Sequence, residues 1–178
     1  MRVAINAWFL NQPGTGSGQY LRSLLGALPA LTQQDQFLLV APPDRFEFEV
    51  PGLQMEFRSY SAPLGQGNPG KVWFEQVDFP RVCRDWGADV AHVPYWGSPL
   101  WPSVPTVTTV HDLIPMLLPA YRGGLMVRLY TRLVAASARR TTVVLTDSLA
   151  SKQDIEQHLG ISAGKVRCIY LAAHEQFQ

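Results

Sequence analysis

A histidine follows an apolar, β-branched run in the middle of the chain. The run TVTTV is followed directly by His111 and Asp112. If this run is a strand of a parallel sheet, His111 lies at its carboxyl end, where such sheets bind ligands. An imidazole there can hydrogen bond to a substrate hydroxyl or move a proton near neutral pH. The alternative is a strand-end histidine satisfied by backbone groups, with Asp112 capping the next turn, and the residues alone leave both open.

A glycine-rich turn near the N-terminus is the second candidate site. The segment Gln12–Gly18 reads QPGTGSG and precedes a helical pattern. Small residues let backbone N–H groups approach a phosphate at a helix N-terminus. The candidates for such a loop are Gly14, Gly16, Ser17 and Gly18. The dinucleotide fingerprint fails, since Gln19 or Leu21 stands where its third glycine belongs, and the segment has no Walker lysine. A flexible turn without a ligand remains the alternative.

The stretch between Asp112 and Asp147 contains arginines but no acidic residue. The arginines are Arg122, Arg128, Arg132, Arg139 and Arg140. Arginines spaced in this way along a helix form a basic face, which can bind lipid headgroups or a phosphorylated acceptor. A solvated basic helix face is the simpler reading, and the charge pattern favours it. The apolar segment Leu113–Tyr121 is equally open, as a membrane contact, a cleft lining or part of the core.

Composition limits the class of protein. The chain has 178 residues, of which 47% are hydrophobic and 16% charged, and its net charge is +1. These values exclude a disordered protein and argue against a nucleic-acid binder. Cys83 and Cys168 lie far apart and outside any metal-binding spacing, so we expect no metal site and no disulfide framework. A reducing, cytoplasmic location fits this cysteine usage.

Short β-branched runs alternate with longer helical patterns. The predicted strands are Arg2–Leu10, Gln36–Ala41, Leu53–Tyr60, Asp89–Tyr95, Thr106–His111, Thr142–Thr146 and Lys165–Leu171. The predicted helices are Gly18–Leu31, Lys71–Trp86 with a start or kink around Pro80, Leu125–Ala138 and Ser148–Leu159. Ser61–Gly70 is predicted to be a mobile loop. The alternation indicates an α/β, Rossmann-like fold, with a mostly parallel sheet and helices on both faces. The ligand-binding loops then start at Leu10, Tyr95, His111 and Asp147.

Five segments, in this order, resemble the N-terminal half of family 4 glycosyltransferases of GT-B architecture. They are TGSGQYLRSLL (Thr15–Leu25), WFEQVDFP (Trp73–Pro80), DVAHVPYWGSPL (Asp89–Leu100), TVTTVHDLIP (Thr106–Pro115) and TDSLASKQDIEQHLGISAGKVRCIYLA (Thr146–Ala172). Together they cover most of the chain. The resemblance extends to the mannosyltransferase-like subgroup, in which a helix containing the pair EQ precedes the VHDLIP segment.

The resemblance implies a two-lobed enzyme with its active site between the lobes. Such an enzyme transfers a sugar from a nucleotide-diphosphate sugar to a glycan or lipid acceptor, with retention of configuration and without a metal or other cofactor. Residues 1–178 are then a single acceptor-side lobe, in which His111 is catalytic and faces the transferred sugar while the glycine turn approaches the donor diphosphate. The further candidates for the cleft are Glu75, Tyr95, Asp112 and Ser148. A cytoplasmic protein is implied, with peripheral contact to the inner face of the membrane left open.

The chain departs from the family pattern in two places. The nucleotide-binding C-terminal lobe does not follow before Gln178, so we expect this piece alone to be inactive. His174 stands where the family has an aspartate. The alternative function is a non-catalytic α/β module that binds a phosphorylated ligand or a separate C-terminal subunit. A nicotinamide dehydrogenase domain is disfavoured by the broken glycine fingerprint.

Overall fold

Parallel strands form the centre of the computed structural model, which describes residues 1–32, 34–42, 48–59, 65 and 67–172. Within these residues, seven strands form one sheet in the order β3-β2-β1-β4-β5-β6-β7, and every pair is parallel. The strands are β1 (Arg2–Asn6), β2 (Gln36–Ala41), β3 (Met55–Ser59), β4 (Val90–Val93), β5 (Thr106–Thr109), β6 (Val143–Thr146) and β7 (Val166–Cys168). The predicted Rossmann-like α/β fold is therefore confirmed.

Helices connect the strands. They are α1 (Gly16–Ala27), α2 (Asn68–Trp73), α3 (Phe79–Trp86), α4 (Ile114–Leu117), α5 (Leu125–Arg140) and α6 (Leu149–Leu159). A π-helical turn, Phe74–Asp78, joins α2 to α3, and single 3₁₀ turns lie at Leu28–Ala30, Pro119–Tyr121 and Ala163–Lys165. None of the helices in the described part of the chain has the length and apolar character needed to cross a membrane.

Local hydrogen bonding and glycine explain where the helices begin and end. Thr15 Oγ1 accepts a hydrogen bond from the Gly18 amide at the start of α1, and Ser148 Oγ accepts one from the Ser151 amide at the start of α6. At the end of α6, Gly160 has a φ of 63°, a left-handed conformation that other residues rarely adopt. The predicted cap and stop of the last helix are thus confirmed.

Several predicted boundaries were wrong. The first strand ends at Asn6 rather than Leu10, because the Asn6 side chain accepts a hydrogen bond from the Trp8 amide and the backbone turns there. The predicted helix Lys71–Trp86 begins earlier and is interrupted by the π-helical turn, which ends just before Pro80. A proline has no N–H to donate, so the regular ladder cannot continue unchanged through it. Residue 60 of the predicted strand Leu53–Tyr60, residues 61–64 and 66 of the predicted loop, and His174 lie outside the described residues.

Opposite faces of the sheet are covered by different helices. On one face, Ile5 and Leu39 pack against Leu21 and Leu25 of α1. On the other, Ala4 and its neighbours pack against the π-helical turn and α3. Because successive side chains of a strand alternate between faces, the same two central strands supply both cores.

A third hydrophobic cluster lies at the β7 end of the sheet, where β6 and β7 pack against α5 and α6. The chain leads outward from β1 to β2 and β3 on one side, and from β4 to β7 on the other. The strand order therefore reverses between β1 and β4. Parallel sheets bind ligands in the crevice at the carboxyl ends of the strands at this reversal.

Candidate functional site

His111 is held by a carboxylate from the neighbouring loop. Its Nδ1 lies 2.6 Å from Oδ2 of Asp147. His111 follows β5, Asp147 follows β6, and these strands are parallel neighbours, so their carboxyl ends meet at one edge. The two side chains are 26% and 22% exposed, which leaves the imidazole a route to solvent. An Nδ1–H that donates to the carboxylate fixes the ring orientation and leaves Nε2 as the acceptor.

The Nε2 atom of His111 is shielded from solvent and has no hydrogen-bond partner among the described residues. A polar atom left in that state costs free energy, because it has lost water without gaining a protein partner. A buried polar atom without a partner calls for an explanation, such as a bound water, a ligand or a catalytic role, and Nε2 is one of several such atoms in the described residues. In His111 the unpaired atom is the ring nitrogen that does not face Asp147.

Tyr20 connects the glycine turn to this histidine. Its ring contacts the His111 imidazole edge-on, with 4.9 Å between ring centroids. The Tyr20 hydroxyl lies 3.4 Å from Thr109 Oγ1, and His92 Nε2 lies 3.0 Å from the same oxygen. Burial, with a smaller effect of His111, lowers the pKa of His92 to about 4. Because Tyr20 is in the first turns of α1, the glycine turn and His111 occupy the same edge of the sheet.

The glycines of the turn have different roles. A Cβ on Gly18 would collide with the carbonyl oxygen of Gln12, so packing requires a glycine there. A Cβ on Gly14 or Gly16 would meet nothing within 4 Å. Neither is needed to pack the turn, and both leave open space beside the amides that begin α1. The half-exposed Ser17 lies between them and Gly18.

A second polar cluster lies on the opposite face of the sheet, at the same edge. Lys71 Nζ forms an ion pair with Glu75 Oε1, one helical turn further along the chain. Nζ also donates a hydrogen bond of 2.6 Å to the Tyr130 hydroxyl, which lies 3.0 Å from each oxygen of Glu75. Burial lowers the pKa of Lys71 and raises that of Glu75. The attraction between the two groups opposes both shifts, so burial and ion pairing act against each other in this cluster.

Aromatic rings surround the Lys71 ammonium. It lies 4.7 Å from the ring centroid of Tyr95, 4.8 Å from that of Tyr130 and 5.6 Å from that of Phe9. Tyr95 is buried, and desolvation followed by the charge of Glu75 raises its pKa. A Cβ on Gly97 would strike both Tyr95 and Glu75, so the loop after β4 closes tightly over this cluster. Glu75 and Tyr95 were both predicted to line the cleft. The structure places them together in one cluster, where both side chains are buried.

A cavity of about 900 Å³ opens beside the cluster. It lies between the loop after β1, the α2 segment and the first half of α5. Lys71 and Tyr130 are part of its lining, and so is Gln12, which begins the glycine turn. Most of the remaining lining is apolar or aromatic. Pockets of this size and composition bind small molecules.

The two other predicted residues have local hydrogen-bonding roles. Exposed Asp112 accepts a hydrogen bond of 2.9 Å from the Ile114 amide at the start of α4. Ser148 caps α6. The structure thus places Asp112 next to His111, and Ser148 next to Asp147, without showing either on a ligand. Among the described residues, no group of three or more histidine, cysteine or acidic side chains is arranged to hold a metal ion.

Sequence reasoning missed three residues of these clusters, namely Tyr20, Lys71 and Tyr130. It placed Asp147 at the start of a ligand-binding loop but did not pair it with His111. Lys71 carried a usable signal, since its spacing to Glu75 places both on one helix face. Tyr130 had none, because it meets Glu75 only through the packing of α5 against the π-helical turn.

The order of the seven parallel strands and the helices around them define a Rossmann-like lobe that matches one lobe of the GT-B fold. The family model described as Glycosyltransferase Family 4 matches residues 14–175, so the chain belongs to that family. A solved structure titled as a sucrose-phosphate synthase from Thermosynechococcus elongatus is similar, with a TM-score of 0.55 and 16% identity over 97% of this chain and 90% of that chain. At this identity the likeness shows the fold alone. No curated protein matches the chain significantly.

Proposed function

We propose that the chain is the acceptor-side lobe of a retaining glycosyltransferase. The reaction moves a sugar from a nucleotide-diphosphate donor to a hydroxyl of a glycan or lipid acceptor. The observation that carries the proposal is the His111–Asp147 pair, which lies at the carboxyl edge of the sheet with the glycine turn tied to it through Tyr20. This is the edge at which parallel sheets bind their ligands.

In this proposal His111 acts on the transferred sugar. Asp147 holds the ring at the carboxyl edge of the sheet, where the 26% exposed imidazole can meet the transferred sugar or the positive charge that develops on it. In a retaining reaction the leaving phosphate and the incoming hydroxyl share one face of the sugar. The enzyme then works mainly by positioning groups and stabilising charge.

The glycine turn is assigned to the donor diphosphate. The unobstructed space at Gly14 and Gly16 supports this role, since a phosphate can reach the backbone there without meeting a side chain. The amide dipoles at the start of α1 favour a negative group at that position. Three further features are part of the proposal, namely a mannosyltransferase-like donor preference, independence from metal ions, and a cytoplasmic location at or near the inner face of the membrane.

The test is to assay the intact enzyme against a panel of nucleotide sugars, with and without a chelator, and to determine the anomeric configuration of the product. We expect transfer with retention from one donor, unaffected by the chelator. Inversion would contradict the mechanism. Loss of activity on chelation would contradict metal independence. Binding of phosphorylated ligands with no transfer from any donor would favour the non-catalytic module instead.

A further inference from the structure

The cavity beside the Lys71–Glu75–Tyr130 cluster differs in character from a sugar-binding groove. Its walls are largely apolar, with contributions from Trp8, Trp73 and the α5 side chains Met126 and Leu129. Met126 is 76% exposed and Leu129 is 47% exposed, so the apolar lining continues to the protein surface. Exposed apolar surface around a concave site marks a place that an apolar group covers.

The polar cluster of Lys71, Glu75 and Tyr130 beside the cavity carries almost no net charge. Lys71 is paired with Glu75, so the cluster has little net charge to attract an anion. Two of the three ammonium N–H groups are directed at Glu75 and Tyr130, and the described residues supply no hydrogen-bond partner for the third. The Lys71 side chain lines the cavity and is 17% exposed, so a ligand oxygen that enters between the surrounding rings can accept from that N–H.

We propose that this cavity binds the apolar portion of an amphipathic acceptor, an alkyl- or prenyl-type chain attached to a hydroxyl-bearing head, and that Lys71 donates a hydrogen bond to the head. The acceptor role rests on the proposed function, whereas the ligand class rests on the cavity. The position fits, because Gln12 of the lining begins the glycine turn assigned to the donor. A head beside Lys71 therefore lies next to the edge where transfer takes place.

The experiment is a binding titration of methyl, hexyl and octyl β-D-glucopyranosides, each below its micelle-forming concentration, followed by calorimetry without a donor. Affinity is expected to rise about fourfold for each added methylene that is buried, which corresponds to about 0.8 kcal/mol. Leu129→Gln and Met126→Gln, which remove apolar surface from the lining, are expected to weaken octyl glucoside binding about fivefold or more when combined.

The matched control is Leu125→Gln, which changes a 71% exposed leucine on the same helix that is not part of the lining. It is expected to leave the affinity within about twofold, since a solvated side chain contributes little to a site it does not line. Affinity independent of chain length, or an equal loss in Leu125→Gln, would overturn the proposal. A double variant, Lys71→Met with Glu75→Gln, tests the head contact without leaving a lone buried charge, and about a tenfold loss is expected.

The transfer assay separates this inference from the proposed function. Transfer to free sugars with no alkyl dependence in binding would overturn the amphipathic ligand while the transferase assignment stood. Chain-length-dependent binding with no transfer from any donor would support the ligand class and contradict the transferase assignment.

Discussion

Asp147 Oδ2 lies 2.6 Å from Nδ1 of His111, although 36 residues separate them in the chain. The contact exists because β5 and β6 are adjacent and parallel, which brings the loops that follow them together. A carboxylate that accepts from Nδ1 sets the orientation of the ring and stabilises a positive charge on it. The pair therefore links sheet topology to the reactivity of Nε2.

Asp147→Asn tests this link. The amide keeps the shape of the side chain but lacks the negative charge, so we expect kcat of the intact enzyme to fall about 10²-fold with little change in donor affinity. The control is Asp112→Asn, since Asp112 is exposed and its side chain only accepts a hydrogen bond from the Ile114 amide. Its kcat is expected to change no more than a few-fold. Equal effects of the two variants on kcat would contradict the special role of Asp147.

Two glycine substitutions separate packing from ligand binding. Gly18→Ala is expected to destabilise the fold by about 1–3 kcal/mol, because its Cβ meets the Gln12 carbonyl. Gly16→Ala has open space and is expected to keep the free energy of unfolding within about 0.5 kcal/mol of wild type. Urea denaturation measures both. In the intact enzyme Gly16→Ala is also expected to weaken donor binding, and unchanged donor affinity would remove this turn from the diphosphate site.

The Lys71–Glu75 pair is expected to behave as a coupled unit. Lys71→Met leaves a fully buried carboxylate without its counter-charge, which typically costs about 3–5 kcal/mol of folding stability. Lys71→Met combined with Glu75→Gln removes both charges and is expected to recover much of that loss. A double-mutant cycle by denaturant unfolding measures the coupling. Strict additivity of the two substitutions would show that the pair contributes nothing as a unit.

His92 gives the fold a defined pH dependence. Its pKa is lowered from 6.5 to about 4 in the folded chain, mainly by burial. Between these values the unfolded chain binds a proton that the folded chain excludes, so stability falls as pH decreases through this window. The loss is on the order of 3 kcal/mol when complete. His92→Gln is expected to flatten the slope of unfolding free energy against pH, and an unchanged slope would contradict the assignment. His158→Gln, at an exposed position, is the control.

Much of the fold could be predicted because its signals are local. Alternating strand and helix patterns identified the parallel sheet, and the Ser148 cap and Gly160 stop located α6. The end of β1 at Asn6 was not predicted, because it depends on a side-chain hydrogen bond. The π-helical form of the turn before α3 was not predicted either, because it depends on the packing of α2 and α3 against the sheet.

The candidate site was predictable only in part. A histidine at a strand end and a glycine turn before a helix are visible as patterns, and both lie at the predicted edge. Tyr20 was assigned to the apolar stripe of its helix, and nothing in the pattern showed that its ring would meet His111. Tyr130 lies 55 residues from Glu75, and only tertiary packing brings them together. Contacts of this kind require the folded structure.

In the proposed function, His111 acts in the transfer step and does not hold the donor. The most direct measurement compares His111→Ala with the wild-type intact enzyme for kcat and, separately, for donor affinity by calorimetry. We expect kcat to fall about 10²-fold or more while the donor dissociation constant changes less than about threefold. Normal turnover in the variant, or a loss confined to donor affinity, would contradict it.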